Sequence, residues 1–284
     1  MAARRLAIPS PELSGSWAAS SPAVAILGLP TDVNSSHVRG AARGPSAIRK
    51  ALYSGASNLT SELGVDLSRS GVLVDLGNLK LRENAADRGR IELGVRERID
   101  RGYKPLLLGG DHSVTYPILC AVASAHGPVN ILHFDAHPDL YDTYEGNPFS
   151  HACPFARIMG EGLANRLVQV GIRTLNAHQA GQAKRFGVHI VEMAAFSAAS
   201  VPIPPGPLYI TIDLDALDPA FAPGVAHREP GGLSVRDIIS VLHRVKGPVV
   251  GADVVELRPA SDLDGMTAVV AAKLVKELAG LMLH

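Results

Sequence analysis

The stretch NILHFDAHPD, residues 130–139, joins a short apolar run to three potential metal ligands. The apolar part is typical of a strand buried in a parallel sheet. Asp135, His137 and Asp139 follow at alternate positions, and alternate side chains of an extended chain point to the same side. In open α/β sheets, ligands bind outside the carboxyl ends of the strands. Three ligands are one short of a closed four-coordinate site, so other strand ends should supply more.

Strand-like and helix-like segments alternate along the chain on both sides of this stretch. Apolar runs such as 105–108, 208–213 and 248–255 are separated by helical segments such as 87–101. The sequence shows no break in composition and no repeat. The alternation predicts one parallel α/β sheet covered by helices on both faces. A chain of 284 residues can bury such a core as a single domain. We expect that catalytic domain to span residues 23–284.

Residues 1–22 contain no continuous apolar run, so we expect no secretory signal there. Pro9 and Pro11 favour a flexible tail, and Glu12 counts against a transit peptide, although organellar import stays open. The two cysteines, Cys120 and Cys153, provide no disulfide framework. These features together favour a reducing, cytoplasmic setting.

The composition argues against several classes of partner. Lys+Arg and Asp+Glu number 27 each, so no net positive field favours nucleic acid or an anionic membrane surface. No apolar run is long enough to span a bilayer. The glycine-rich segments match neither a dinucleotide-binding fingerprint nor a phosphate-binding loop. A small-molecule substrate is therefore the favoured partner.

Polar side chains follow three further apolar runs. His112 comes after Gly109-Gly110, Asp213 and Asp215 end the run at 208–213, and Glu256 ends the run at 249–255. Taken singly, each has an ordinary structural explanation as a helix cap, a turn or a surface acid. Because the carboxyl ends of parallel strands meet at one edge of a sheet, we expect them to converge with the ligands after residue 134.

The negative charge of this expected cluster indicates that it binds cations. Asp135, Asp139, Asp213 and Asp215 would place four negative charges in one cleft, which is prohibitive without compensation. Two divalent cations would neutralise them, and an oxygen-rich ligand set with one imidazole per metal favours Mn²⁺ over structural zinc. A metal pair about 3.5–4 Å apart can hold a bridging hydroxide, which is a strong nucleophile at neutral pH. The residues therefore predict metal-assisted hydrolysis.

His151 lies between Ser150 and Cys153, which raises the alternative of a serine or cysteine nucleophile. No spacing rule supports that alternative, because catalytic triads are set by three-dimensional geometry. We favour His151 as a proton carrier, since histidine titrates near neutral pH. An ordinary loop histidine is the structural alternative.

Taken together, these motifs resemble the ureohydrolases, the family of arginase and agmatinase. The resemblance is carried by GGDHS at 109–113, DAHPD at 135–139, SHACPFARIM at 150–159, DLDALDPAFAPG at 213–224, EPGGLS at 229–234 and DVVELRP at 253–259. The segments YEGN at 144–147 and DGMTA at 264–268 are most similar to the plant-type arginase/agmatinase branch. The resemblance implies a three-layer α/β/α fold around an eight-stranded parallel sheet, two Mn²⁺ ions per subunit, and a homotrimer or homohexamer.

The resemblance also implies roles for individual residues. Six side chains would hold the metals, with His112 and Asp139 on one ion, His137 and Asp215 on the other, and Asp135 and Asp213 bridging. His151 would shuttle a proton, and Glu256 would pair with a planar guanidinium. Asp139 or His151 would take part in protonating the leaving amine. Asn147 and Ser150 would contact the rest of the substrate.

The substrate is the least determined part of this interpretation. Cys153-Pro154 departs from the plant-type pattern towards agmatinases, so we expect agmatine to be preferred and arginine to come second. The alternatives are a formiminoglutamate hydrolase, a single-zinc deacetylase of related fold, and a metal-binding homologue without activity. The complete second set of ligands, including His112, argues against the single-zinc enzyme. The intact ligands together with Glu256 argue against the inactive homologue.

Overall fold

A single sheet of eight strands organises the protein, which is described here from a computed structural model covering residues 23–284. The tail predicted over residues 1–22 lies outside the described residues. The strands are β1 (Val24–Gly28), β2 (Leu73–Asn78), β3 (Lys104–Leu108), β4 (Val129–Phe134), β5 (Ala164–Ile172), β6 (His189–Glu192), β7 (Leu208–Asp213) and β8 (Val249–Val255). Their order is β2-β1-β3-β8-β7-β4-β5-β6, and every neighbouring pair is parallel. The predicted eight-stranded parallel sheet is confirmed.

In the described part of the chain, seven α-helices cover the two faces of this sheet. They are α1 (Gly44–Leu52), α2 (Asp87–Asp100), α3 (Thr115–His126), α4 (Pro154–Gly160), α5 (Ala177–Phe186), α6 (Val235–Leu242) and α7 (Met266–Leu283). Two hydrophobic clusters lie between the layers, one under α1, α6 and α7 and the other under α2, α3, α4 and α5. The arrangement is the expected three-layer α/β/α fold. Within residues 23–284, no helix is long and apolar enough to cross a membrane.

Local sequence explains how the elements begin and end near the functional edge. Ser234 caps α6 through a capping box with Asp237. β7 is buried at every residue and ends at Asp213, where the apolar run stops. Because all eight strands run the same way, the segments that follow β3, β4, β7 and β8 meet at one edge.

Gly110 allows two of these segments to pack against each other. Its backbone lies against Thr31 in the loop after β1, and the Asp111 N–H donates to the Thr31 carbonyl at 3.1 Å. A Cβ atom at position 110 would lie 1.7 Å from that carbonyl oxygen. Glycine is therefore required here by the close approach of two backbones.

We expect Gly110→Ala to lower the free energy of unfolding by about 3 kcal/mol or more, because the rigid backbone of Thr31 cannot move aside. Gly181→Ala is the matched control, since no atom lies within 4 Å of its added Cβ. Position 181 is in the middle of α5, where alanine stabilises a helix more than glycine does. The control should raise the stability by about 0.5–1 kcal/mol. Urea unfolding of the two variants measures both effects, and equal stabilities would contradict this account.

Candidate active site

The six predicted metal ligands converge at the carboxyl ends of β3, β4 and β7. His112 Nδ1 lies 3.1 Å from Asp135 Oδ2, 3.1 Å from Asp139 Oδ2 and 3.3 Å from Asp213 Oδ2. A second imidazole completes the group. His137 Nδ1 lies 3.0 Å from Asp215 Oδ2 and 3.4 Å from Asp135 Oδ1. Asp135 therefore faces both imidazoles, one with each carboxylate oxygen.

The hydrogen bonds around His112 determine which of its nitrogens carries the proton. Thr211 Oγ1 donates to Asp253 Oδ1 at 2.6 Å, so its oxygen accepts from His112 Nε2 at 3.0 Å. When the ring is neutral, Nδ1 is then left with a lone pair. It is buried, and it has no hydrogen-bond partner within residues 23–284.

A lone pair that faces three carboxylate oxygens is repulsive unless a cation lies among them. Imidazole nitrogens and carboxylate oxygens are suitable ligands for divalent first-row metals. A second group, formed by Asp135, His137 and Asp215, is also close enough to hold an ion. The side chains therefore fit a metal centre with two positions.

Burial and like charge perturb the carboxylates of this cluster. Burial raises the pKa of Asp139 to about 6, the charge of Asp135 adds to the increase, and His112 opposes it. Burial also raises the pKa of Asp213 well above its usual value, and the charges of Asp215 and Asp135 act in the same direction. Without cations these acids resist ionising together, and bound cations would relieve that repulsion.

His133 is a functional residue that the sequence analysis did not identify. It lies on the same side of β4 as Asp135, and its Nε2 donates to Asp135 Oδ2 at 2.8 Å. Gln169 Nε2 donates to its Nδ1 at 3.0 Å, so both ring nitrogens are used within the protein. The ring therefore orients the carboxylate of Asp135, as partners of metal ligands commonly do. Its spacing of two residues before Asp135 was the available signal.

His151 and Glu256 form a pair beside the metal ligands. His151 Nδ1 lies 2.8 Å from Glu256 Oε1, and the His112 N–H donates to the same oxygen at 2.9 Å. No hydrogen bond to Glu256 Oε2 is found among the described residues, so this oxygen can receive a ligand. Burial lowers the pKa of His151, but the charge and hydrogen bond of Glu256, together with the charges of Asp111 and Asp139, more than compensate and bring it to about 9.

Two residues of the site have backbone conformations that residues other than glycine seldom adopt. Asp139 has φ 51° and Glu256 has φ 66°, both in the left-handed region. Such conformations cost about 1–3 kcal/mol each and persist only where the surroundings impose them. The fold therefore holds these carboxylates in place at a cost in stability.

A cleft of about 220 Å³ opens onto the metal ligands and the His151–Glu256 pair. Sequence analysis did not identify two further residues of its wall, His227 and Glu229, which lie in the irregular segment before α6. Among the residues that the structure describes, no lysine or arginine lines this cleft. The wall is completed by Ser36, Tyr141, Tyr144, Ala152, Thr174 and Gln179.

Asn147 and Ser150 do not line this cleft. Asn147 Nδ2 donates to Asn34 Oδ1 at 3.0 Å, and its Oδ1 accepts from the Phe149 N–H at 2.9 Å. Ser150 is buried, and its Oγ accepts from the Ala152 N–H at 3.4 Å. Their contacts with substrate, and the assignment of ligands to individual metals, stay predictions.

The structure argues against Cys153 as a nucleophile. The side chain is fully buried, and burial raises the pKa of its thiol to about 12, with Asp139 adding to the increase. A thiol with that pKa is almost entirely protonated at neutral pH, whereas the thiolate is the reactive form.

Comparisons with known proteins agree with this geometry. The sequence model of the Arginase family matches residues 22–280. Arginase 1, mitochondrial, of Arabidopsis thaliana is 48% identical over 271 residues, covering 89% of this chain and 79% of that protein. Agmatinase, mitochondrial, of Gallus gallus is 36% identical over 271 residues, with coverage of 89% and 79%.

A solved structure, arginase from Medicago truncatula, superimposes with a TM-score of 0.87 at 42% identity, covering 92% of this chain and 87% of that one. The family resemblance carried by the sequence motifs is confirmed. Members of this family use a binuclear metal centre and hydrolyse guanidino groups, and the clustered His and Asp side chains fit such a centre. This chain belongs to the arginase family of hydrolases.

Proposed function

We propose that this protein releases urea from the terminal guanidinium of a linear guanidino compound, using two divalent cations, with Mn²⁺ as the first candidate. The observation that carries this proposal is the lone pair of His112 Nδ1. It faces three carboxylates and lies next to the paired Glu256 and His151. A cation site and a site for a planar cationic group are thus adjacent.

The metals would be held by two overlapping sets of side chains. His112, Asp139 and Asp213 surround one position, and His137 and Asp215 surround the other. Asp135 faces both. When bound, the metal pair supplies the positive charge that makes water nucleophilic at neutral pH.

The other residues of the cleft would bind and orient the substrate. Glu256 offers its free Oε2 to the guanidinium, whose donors suit a carboxylate. His151 Nδ1 contacts the other oxygen of Glu256, Oε1, and His151 can return a proton to the departing amine. Burial of both side chains keeps bulk water away from this transfer.

The agmatine preference expected from the sequence has no support in the comparisons, because relatives that are 47–48% identical are arginases, whereas an agmatinase is 36% identical. We therefore propose arginine as the first substrate to test and agmatine as the second. Among the described residues, the cleft offers the acid Glu229 and neither lysine nor arginine, a composition that is compatible with the amino group carried by both compounds. The two substrates differ by one carboxylate, and this difference makes them a matched pair for the assay.

The deciding experiment is a urea-release screen with arginine, agmatine, 4-guanidinobutyrate and guanidine after loading with Mn²⁺. Release of urea from at least one compound is the expected result. Formamide from formiminoglutamate would replace the proposal with the related hydrolase, and acetate release with one zinc per chain would replace it with a deacetylase. Loaded protein that turns over none of these compounds would be a homologue without activity.

The compartment and the assembly of the chain are also proposals. The predicted cytoplasmic setting is not confirmed, since relatives that are 47–48% identical are named as mitochondrial. We propose a mitochondrial location, which fluorescence imaging of the tagged full chain can test. We also propose a homotrimer or homohexamer, as the family resemblance implies, and light scattering measures the mass.

A further inference from the structure

The loop after β1, residues 31–40, contacts His151 through two of its residues, Asn34 and Ser36. The His151 N–H donates to the Asn34 carbonyl at 3.2 Å. The Ser36 N–H donates to His151 Nε2 at 3.2 Å, and Ser36 Oγ lies 2.8 Å from the same nitrogen. Ser36 also lines the substrate cleft. Its hydroxyl is thus placed between the imidazole and the space where substrate would bind.

Several hydrogen bonds within the protein fix this loop. The buried Asp32 carboxylate accepts from the Gly40 N–H at 2.6 Å, from the Ala42 N–H at 3.1 Å and from Arg39 Nε at 2.7 Å. The Asn34 N–H donates to Asp111 Oδ2 at 3.0 Å. The position of Ser36 against the imidazole is therefore imposed from both sides of the loop.

These contacts occupy both ring nitrogens of His151. Nδ1 is paired with Glu256, and Nε2 is paired with Ser36. A backbone N–H can only donate, so it favours a lone pair on Nε2 and a proton on Nδ1. The Ser36 hydroxyl can donate to that lone pair or accept from a protonated Nε2. A proton that leaves Nε2 towards the cleft must therefore pass through this hydroxyl or displace it.

We propose that Ser36 is a positioning residue for His151, holding Nε2 as the nitrogen that exchanges protons and passing the proton between Nε2 and the cleft. In the step that releases the amine, Nε2–H gives its proton to Ser36 Oγ as the Ser36 Oγ–H proton moves to the amine nitrogen. The bond from that nitrogen to the guanidinium carbon breaks. Ser36 is unchanged, and His151 becomes neutral. This step rests on the proposed function.

Other charged groups also act on this imidazole and bear on its pH dependence. The carboxylates of Glu256, Asp111 and Asp139 favour the protonated ring. The imidazole of His227 faces it at 5.3 Å between ring centroids. Substitution of Ser36 leaves all four groups in place, so a change in the behaviour of His151 can be attributed to the lost hydroxyl.

The first test compares Ser36→Ala with Ser36→Thr in the protein loaded with Mn²⁺. The alanine variant should lose about tenfold or more in kcat, with a KM within about twofold of the wild type, because proton transfer is impaired and binding is not. The threonine variant restores a hydroxyl and should recover most of the rate. Ser35→Ala is the matched control, since the Ser35 hydroxyl donates to Asp111 Oδ2 rather than contacting His151. Equal rates for Ser36→Ala and Ser35→Ala would overturn the proposal.

The second test needs neither metal nor substrate. Nitrogen NMR of the imidazole of His151 in metal-free protein should show a lone pair on Nε2 when the ring is neutral. Its titration midpoint should fall by about one pH unit in Ser36→Ala, because the cation loses a hydrogen-bond acceptor, and should stay unchanged in Ser35→Ala. An unchanged midpoint in Ser36→Ala would overturn the role of Ser36. A failed urea screen would overturn only the proposed function.

Discussion

Replacing Asp213 with asparagine is expected to abolish urea release and, at the same time, to raise the melting temperature of the metal-free protein. Asp213 is a buried carboxylate whose pKa is raised first by burial and then by Asp215 and Asp135. Its ionised form is therefore disfavoured in the folded state, and a neutral amide removes that repulsion. The same change removes an anionic ligand, so activity should fall by more than about 100-fold.

Thermal unfolding with and without Mn²⁺ measures both parts of this prediction. Wild-type protein should be stabilised by the ion, and the variant should lose most of that stabilisation. Asp100→Asn makes the same chemical change at an exposed helix end, paired only with Arg96, and should alter neither property. An Asp213→Asn protein that keeps its Mn²⁺ stabilisation would show that this carboxylate is not a ligand.

Replacing Glu256 with glutamine should lower kcat/KM by about 30-fold to several thousand-fold while leaving the metal content unchanged. The amide removes the negative charge that would bind the guanidinium, and losing one partner of a buried charged pair costs about 2–5 kcal/mol. It also weakens the partner of His151 Nδ1. The pKa of His151 should fall from about 9, because the carboxylate that raises it is gone.

The pH dependence checks the second part of this prediction. With Glu256 present, His151 stays protonated until the pH rises through about 9. In the glutamine variant the corresponding limb of the rate profile should move to lower pH. Glu161→Gln is the control, since this acid only accepts from the Tyr116 hydroxyl at the surface. A variant with normal kcat/KM and an unshifted profile would exclude Glu256 from substrate binding.

Much of the fold follows directly from the pattern of apolar residues. β7 begins and ends at the predicted residues because its buried run is bounded by Pro207 and by the acids from Asp213. The apolar run of β5 begins at Leu167, after the exposed Asn165 and Arg166, but the strand itself begins at Ala164. Pairing with β4 extends β5 back to Ala164 although Asn165 and Arg166 are polar.

Part of the site could be predicted from the sequence and part could not. The convergence of the six proposed ligands could be predicted because each lies at or soon after the end of an apolar strand, and parallel strands bring such positions together. Ser36 and His227 could not be found, because no strand end precedes them. Ser36 meets His151 across 115 residues of sequence. Contacts between distant loops depend on the folded backbone, and no local spacing encodes them.

The division of the site between strand ends and loops has a consequence for how such proteins diversify. The proposed ligands His112, Asp135 and Asp213 lie at or just after the carboxyl ends of three central strands that the core holds rigidly. Much of the rim, including Ser36, Tyr144 and His227, comes from connecting segments that tolerate insertion and exchange. Selection can therefore remodel the rim for a new nitrogen compound while the hydrolytic centre is inherited intact.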